Sequence, residues 1–134
     1  MSQPSAAEPA RILIVDDEPG IRTFVDRALR EVGYVTATAA DGLEALRVAE
    51  VFGAFDLLLT DLRMPAMNGD DLAERIRQRE PDVKVLYLTG FSDQLFREKR
   101  TLWEGEAFLD KPSSVKGLLE AVSLLLNGVI PPAE

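Results

Sequence analysis

The stretch Ile12-Leu13-Ile14-Val15-Asp16-Asp17-Glu18-Pro19 decides the fold, because four apolar β-formers in a row give way at once to three acids and a proline. An apolar run without polar alternation reads as a strand covered on both faces. Behind it, Ile21, Phe24, Val25, Ala28, Leu29 and Val32 recur at helical spacing until Gly33 stops the helix. That is one strand-helix unit, and four more follow. Tyr34 to Thr38 is a second strand, before a helix that Asp41 opens as N-cap with Leu43, Leu46 and Ala49 on one face. Phe55 to Thr60 reads as the third strand, Asp70 to Arg79 as the third helix and Val83 to Leu88 as the fourth strand. A weaker helix follows from about Ser92 to Leu102. Ala107-Phe108-Leu109 is the fifth strand, and Val115, Leu118, Leu119, Val122, Leu125 and Leu126 mark the last helix.

Five such units predict an α/β fold, a five-stranded parallel sheet with helices on both sides. Right-handed crossovers leave few topologies, and the doubly wound, flavodoxin-like strand order 2-1-3-4-5 is the common solution. The 134 residues suit a single domain, expected over residues 11–127. Residues 1–10, rich in Ser, Ala and Pro and without periodicity, read as a disordered leader. Residues 128–134 form a tail too short to be an output domain.

Composition narrows the function. With 46% hydrophobic and 28% charged residues the chain has the balance of a globular protein. No apolar run approaches the ~20 residues of a membrane span, and Met1 to Ala10 lacks the order of a signal peptide, so a cytoplasmic protein without a membrane partner is expected. Zero cysteines remove disulfides and thiolate metal sites. A net charge of -8 argues against a nucleic-acid surface and for a cation as guest. Zero histidines mean that any phosphohistidine donor must lie on another molecule.

In an open parallel sheet, ligands bind at the carboxyl ends of the strands, near the point where strand order reverses. Here strand 1 ends in Asp16-Asp17, strand 3 in Asp61 and strand 4 in Thr89, while strand 5 runs through Asp110 into Lys111-Pro112. The proposed order makes these strands neighbours, so three carboxylates, a hydroxyl and an ammonium are expected to share one crevice. Crowded carboxylates repel one another, and a divalent cation resolves the conflict. Hard oxygen ligands without His or Cys favour Mg²⁺ or Mn²⁺. A carboxylate beside such an ion can attack phosphorus, and phosphoryl transfer needs mainly positioning and charge neutralisation. Asp61, at the end of the central strand, is the best nucleophile candidate, with Asp16-Asp17 placed to hold the metal and with Lys111 and Thr89 suited to neutralise the phosphoryl oxygens.

Together the motifs Ile12 to Pro19, Asp56-Leu57-Leu58-Leu59-Thr60-Asp61-Leu62-Arg63-Met64-Pro65 through Asn68-Gly69, Leu88-Thr89-Gly90, and Phe108-Leu109-Asp110-Lys111-Pro112 resemble the receiver domain of two-component response regulators, from about Arg11 to Asn127. The resemblance implies that Asp61 accepts a phosphoryl group from a histidine kinase or histidine phosphotransfer protein in a Mg²⁺-dependent reaction. It implies that Asp17, Asp61 and the backbone carbonyl of Arg63 ligate the ion, with Asp16 acting through water. Lys111 would pair with the phosphoryl oxygens, and the Lys111–Pro112 peptide would be cis. The implied switch draws Thr89 toward the new oxygens and lets Phe108 turn inward, changing the surface of the fourth helix, fifth strand and last helix that meets a downstream protein. Such a domain is a signalling module rather than a turnover enzyme, assists its own phosphorylation and dephosphorylation, and acts as a monomer or a phosphorylation-dependent dimer. Ser113 departs from the family, which commonly has an aromatic residue there. Arg63 and Phe91, two residues beyond Asp61 and Thr89, are placed to stand over the path of attacking water, with Phe91 expected to slow hydrolysis.

Each motif alone has a plainer reading: Asp16-Asp17 as an acidic helix start, Asp61 and Thr89-Gly90 as turn punctuation, Phe108 as core. Their joint occurrence at adjacent strand ends decides. A haloacid-dehalogenase-type phosphatase also forms an aspartyl phosphate, but its nucleophile ends the first strand and a second Asp follows two residues later, where this chain has Arg63. An FMN binder of the same fold needs a phosphate loop after strand 1, where Asp16-Asp17-Glu18 would repel the flavin phosphate.

Overall fold

Because successive side chains on a strand point to opposite faces, the apolar runs divide into two cores. Leu13, Val15, Leu58, Val85 and Tyr87 line one face of the sheet, and Ile12, Ile14, Leu57, Leu59, Leu86 and Leu88 the other. The computed structural model describes residues 8–90, 105–111 and 114–128. Phe91, the expected helix over Ser92 to Leu102, Pro112 with its peptide bond to Lys111, Ser113, and residues 1–7 and 129–134 lie outside the described residues.

The elements are β1 (Arg11–Val15), α1 (Pro19–Glu31), β2 (Val35–Ala39), α2 (Gly42–Phe52), β3 (Leu57–Asp61), α3 (Gly69–Arg77), β4 (Lys84–Thr89), β5 (Glu106–Asp110) and α4 (Val115–Asn127). All neighbouring strands pair in parallel, in the order β2-β1-β3-β4-β5. Helices α2 and α3 cover the first core through Ala45, Ala49, Leu72, Ala73 and Ile76. Helices α1 and α4 cover the second through Val25, Ala28, Leu29, Leu118 and Val122. The sheet is doubly wound, and no helix of the described residues is long and apolar enough to cross a membrane.

Caps set several boundaries. Asp41 Oδ1 accepts from the Glu44 N–H at 2.8 Å, while Glu44 Oε1 accepts from the Ala40 N–H at 2.6 Å. The first bond satisfies a donor that the first turn of α2 leaves orphaned, and the second ties the chain entering the helix back to that turn. Ser114 caps α4 in the same way, accepting from Gly117 N–H at 2.9 Å. At Gly33 the backbone takes φ 102°, a value that a side chain resists, and the chain turns out of α1.

The structure corrects five details. Strands β2, β3 and β4 begin and end one or two residues later than expected, and β5 extends one residue each way, so Asp61 and Thr89 are themselves the last rungs of their ladders. Helix α3 starts one residue early, at Gly69, and stops at Arg77. On α2 Leu43, expected on the apolar face, is 54% exposed, and small Ala45 takes the buried position against the sheet. Val32 lies beyond the end of α1 and is exposed, and the edge strand β2, Val-Thr-Ala-Thr-Ala, is only partly covered rather than apolar on both faces.

Candidate functional site

Every strand of the β1-β3-β4-β5 ribbon delivers a polar side chain at its carboxyl end, and backbone pairing beyond the strands holds those ends level. Asp16 N–H donates to Ala39 O, Leu62 N–H to Leu88 O and Lys111 N–H to Thr89 O, at 3.2, 3.0 and 2.8 Å. Asp16 is fully buried, Asp61 is 5% exposed and Thr89 is 1% exposed, while Asp17 faces solvent. One carboxylate oxygen each from Asp16, Asp17 and Asp61 lies within 4.8 Å of the others.

Opposite them, Lys111 Nζ stands 3.2 Å from Asp16 Oδ2, 3.2 Å from Asp61 Oδ2 and 3.1 Å from Glu18 Oε1. The structure therefore brings together Asp16, Asp17, Asp61 and Lys111, four of the side chains expected at the site. Arg63 reaches the site through its backbone, its N–H donating to Asp61 Oδ1 at 3.4 Å. Thr89 is at the rim, but its hydroxyl donates to Asp110 Oδ1 at 3.2 Å. Phe108 is half-buried, its ring centroid 5.6 Å from that of Tyr87.

The loop that follows Asp61 can close only because residue 69 is glycine. A Cβ there would lie 2.3 Å from the Asp61 carbonyl oxygen, and the Gly69 N–H donates to Leu62 O at 2.8 Å. In the same loop Ala66 takes φ 69°, a left-handed conformation rare for a residue with a side chain. Asp16 is fixed locally: its Oδ1 accepts from the Glu18 N–H at 2.9 Å and its carbonyl from Arg22 Nη1 at 2.6 Å.

Burial raises the Asp61 carboxyl from 3.8 to about 7, assisted by the Asp16 charge and the Asp17 contact and opposed by Lys111. Burial likewise raises Asp16, against the Glu18 N–H and Lys111, which lower it. Burial pulls Lys111 down, but Asp61 and Asp16 outweigh that and hold its ammonium well above the ordinary lysine value. One cation thus faces several acids. Asp16 Oδ2, buried and in charge contact with Lys111, makes no hydrogen bond of good geometry. Oxygen donors alone, crowded and short of positive charge, fit a hard divalent cation such as Mg²⁺.

Sequence reasoning missed two participants at the site and one buried ion pair away from it. Glu18 joins Lys111, a role its place in the acidic run hinted at. Asp110 engages Thr89, which follows from the register Thr89↔Asp110 and from nothing in the sequence pattern. At the opposite end of β5, buried Glu106 takes Arg77 Nη2 at 2.7 Å and the Tyr87 hydroxyl at 3.4 Å.

Among known proteins, the sequence model of the response regulator receiver domain family matches residues 12–123. The chain is 35% identical over 119 residues to sensor kinase CckA of Brucella abortus (strain 2308), covering 88% of this chain but spanning only 13% of that protein's length. To response regulator receiver protein CpdR of the same organism it is 32% identical over 117 residues, 87% of this chain and 96% of CpdR. The crystal structure of chemotaxis protein CheY4 of Vibrio cholerae superposes with a TM-score of 0.77 at 31% identity, over 89% of this chain and 100% of that one.

Proposed function

Since the chain belongs to the response regulator receiver domain family, a family of two-component signalling domains, we propose that Asp61 is its phosphoacceptor. Receiver domains meet histidine kinases or phosphotransfer proteins, and with no histidine among these 134 residues the phosphohistidine donor lies outside them. An Asp61 carboxylate oxygen forms the bond to phosphorus as the bond to the donor's imidazole nitrogen breaks, the electron pair returning to that ring. Lys111 sits 3.2 Å from Asp61 Oδ2, placed to pair with an incoming phosphoryl oxygen. Asp17, Asp61 and the backbone carbonyl of Arg63 would hold Mg²⁺, or Mn²⁺ in its place, with Asp16 acting through water from the same acidic cluster. The bound ion would neutralise charge on the phosphoryl oxygens. An Asp61 raised to about 7 carries a proton in part of the population at neutral pH, and a divalent ion beside it favours the ionised, nucleophilic form.

Thr89 and Phe108 form the switch of the same proposal: Thr89 moves to the phosphoryl oxygens, Phe108 turns inward, and the face around β5 and α4 changes its affinity for a downstream protein. That is a population shift between two states of one fold. A cytoplasmic setting belongs with this reading. The phosphatase alternative finds no support, since Asp61 ends β3 rather than β1 and Arg63 stands where a second acid is needed.

The observation that carries the proposal is the Asp16-Asp17-Asp61 cluster closed by Lys111. It is tested by incubation with acetyl phosphate and Mg²⁺ and measurement of intact mass. One added phosphoryl group is expected, absent in EDTA and in Asp61→Asn. Labelling that persists in either control refutes it.

A further inference from the structure

We propose that Asp110 is a positioning residue that holds the Thr89 hydroxyl in the resting state and so lowers the affinity of the site for a phosphoryl group. The inference rests on the reading of Asp61 as phosphoacceptor and Thr89 as its switch, and adds an element that acts on them. Thr89 and Asp110 are partners on the last rung between β4 and β5. The next backbone bond, Lys111 N–H to Thr89 O at 2.8 Å, fixes their relative height. Across that rung the Thr89 hydroxyl, on a residue 1% exposed, donates to Asp110 Oδ1 at 3.2 Å.

A hydroxyl has a single proton to donate. While Asp110 accepts it, Thr89 cannot offer it to an oxygen on Asp61. Phosphorylation at Asp61 presents a second anionic acceptor for the same proton, so the Thr89–Asp110 bond must break when the switch operates. Its strength is subtracted from the binding of the phosphoryl group. A part-buried bond that is long for a hydroxyl donor, at 3.2 Å, corresponds to roughly a three- to tenfold change in an equilibrium constant. The backbone has no such competitor, because Lys111 N–H stays on Thr89 O whichever way the hydroxyl points. Asp110 therefore biases the side-chain switch without altering the sheet.

The test measures binding of beryllofluoride, a phosphoryl mimic, at saturating Mg²⁺ by calorimetry in the wild type and in Asp110→Ala, Asp110→Asn, Thr89→Val and Thr89→Val with Asp110→Ala. Asp110→Ala is expected to bind roughly three- to tenfold tighter than wild type. Asp110→Asn, which loses the charge but keeps an acceptor for Thr89, should recover at least half of that change on a logarithmic scale. In the Thr89→Val background Asp110→Ala should have no effect. If Asn and Ala tighten binding equally, or the effect survives in Thr89→Val, Asp110 acts by charge alone and the inference fails. Unchanged or weaker binding in Asp110→Ala also overturns it. Failure of the wild type to bind beryllofluoride at all instead removes the phosphoacceptor reading, and this inference with it.

Discussion

Replacing Asp61 by Asn should make the metal-free protein more stable, although it removes the phosphoacceptor. Asp61 is 5% exposed and its carboxyl is raised from 3.8 to about 7, by burial first and by Asp16 and Asp17 after it. A folded-state value above the unfolded one means that the native protein holds a proton the unfolded chain has released. Stability therefore falls as pH rises from about 4 to about 7 and is level above that. At about 1.4 kcal/mol per pH unit, the full shift corresponds to roughly 4 kcal/mol. Relaxation and the Lys111 pair lost in the variant reduce the expected net gain to about 1 to 3 kcal/mol at about pH 8, a rise of roughly 4 to 10 °C in Tm for a chain of this size. Urea and thermal unfolding in EDTA should show the gap between variant and wild type widening from about pH 4 to 7. Mg²⁺ should narrow it, because the ion stabilises the wild type by mass action and the variant less. A variant less stable than wild type in EDTA, or a gap that ignores both pH and Mg²⁺, refutes the electrostatic reasoning.

Three further outcomes test the scaffold. Gly69→Ala must displace backbone, since its Cβ would meet the Asp61 carbonyl at 2.3 Å; a loss of about 2 to 4 kcal/mol in urea unfolding is expected, with slower acetyl phosphate labelling. Glu106→Ala takes the buried carboxylate away from Arg77 and should cost about 2 to 4 kcal/mol, whereas Tyr87→Phe, which removes the long 3.4 Å bond to Glu106, should cost less than the Glu106 change. Asp41→Ala removes the α2 cap and should cost about 1 kcal/mol, while Leu43→Lys, at an exposed position, should change unfolding by less than about 0.5 kcal/mol.

The fold was legible because strands buried on both faces leave a blunt signal. Ile12 to Val15 and Leu57 to Leu59 have no polar alternation to confuse with a surface strand, and acids or turn residues mark where each run stops. The sheet order followed from connection handedness, and the site from asking which residue ends each strand. Errors arose where spacing alone had to choose a face: Leu43 fits the apolar stripe of α2, yet close packing gave the position to Ala45. Strand limits slipped by one or two residues because pairing, not hydrophobicity, ends a ladder, and Asp61 and Thr89 still pair. Glu106 and Asp110 gave no sign of their partners. Their contacts depend on the register of β5 against β4 and on the reach of Arg77 from α3, quantities that arise only when the sheet is assembled.

The most direct measurement locates the phosphoryl group. After acetyl phosphate and Mg²⁺, borohydride reduces an aspartyl phosphate to homoserine, and peptide sequencing by mass spectrometry reads the altered position. The account predicts conversion at Asp61 and at neither Asp16 nor Asp17. Conversion at one of those two, or none in folded protein saturated with Mg²⁺, contradicts it.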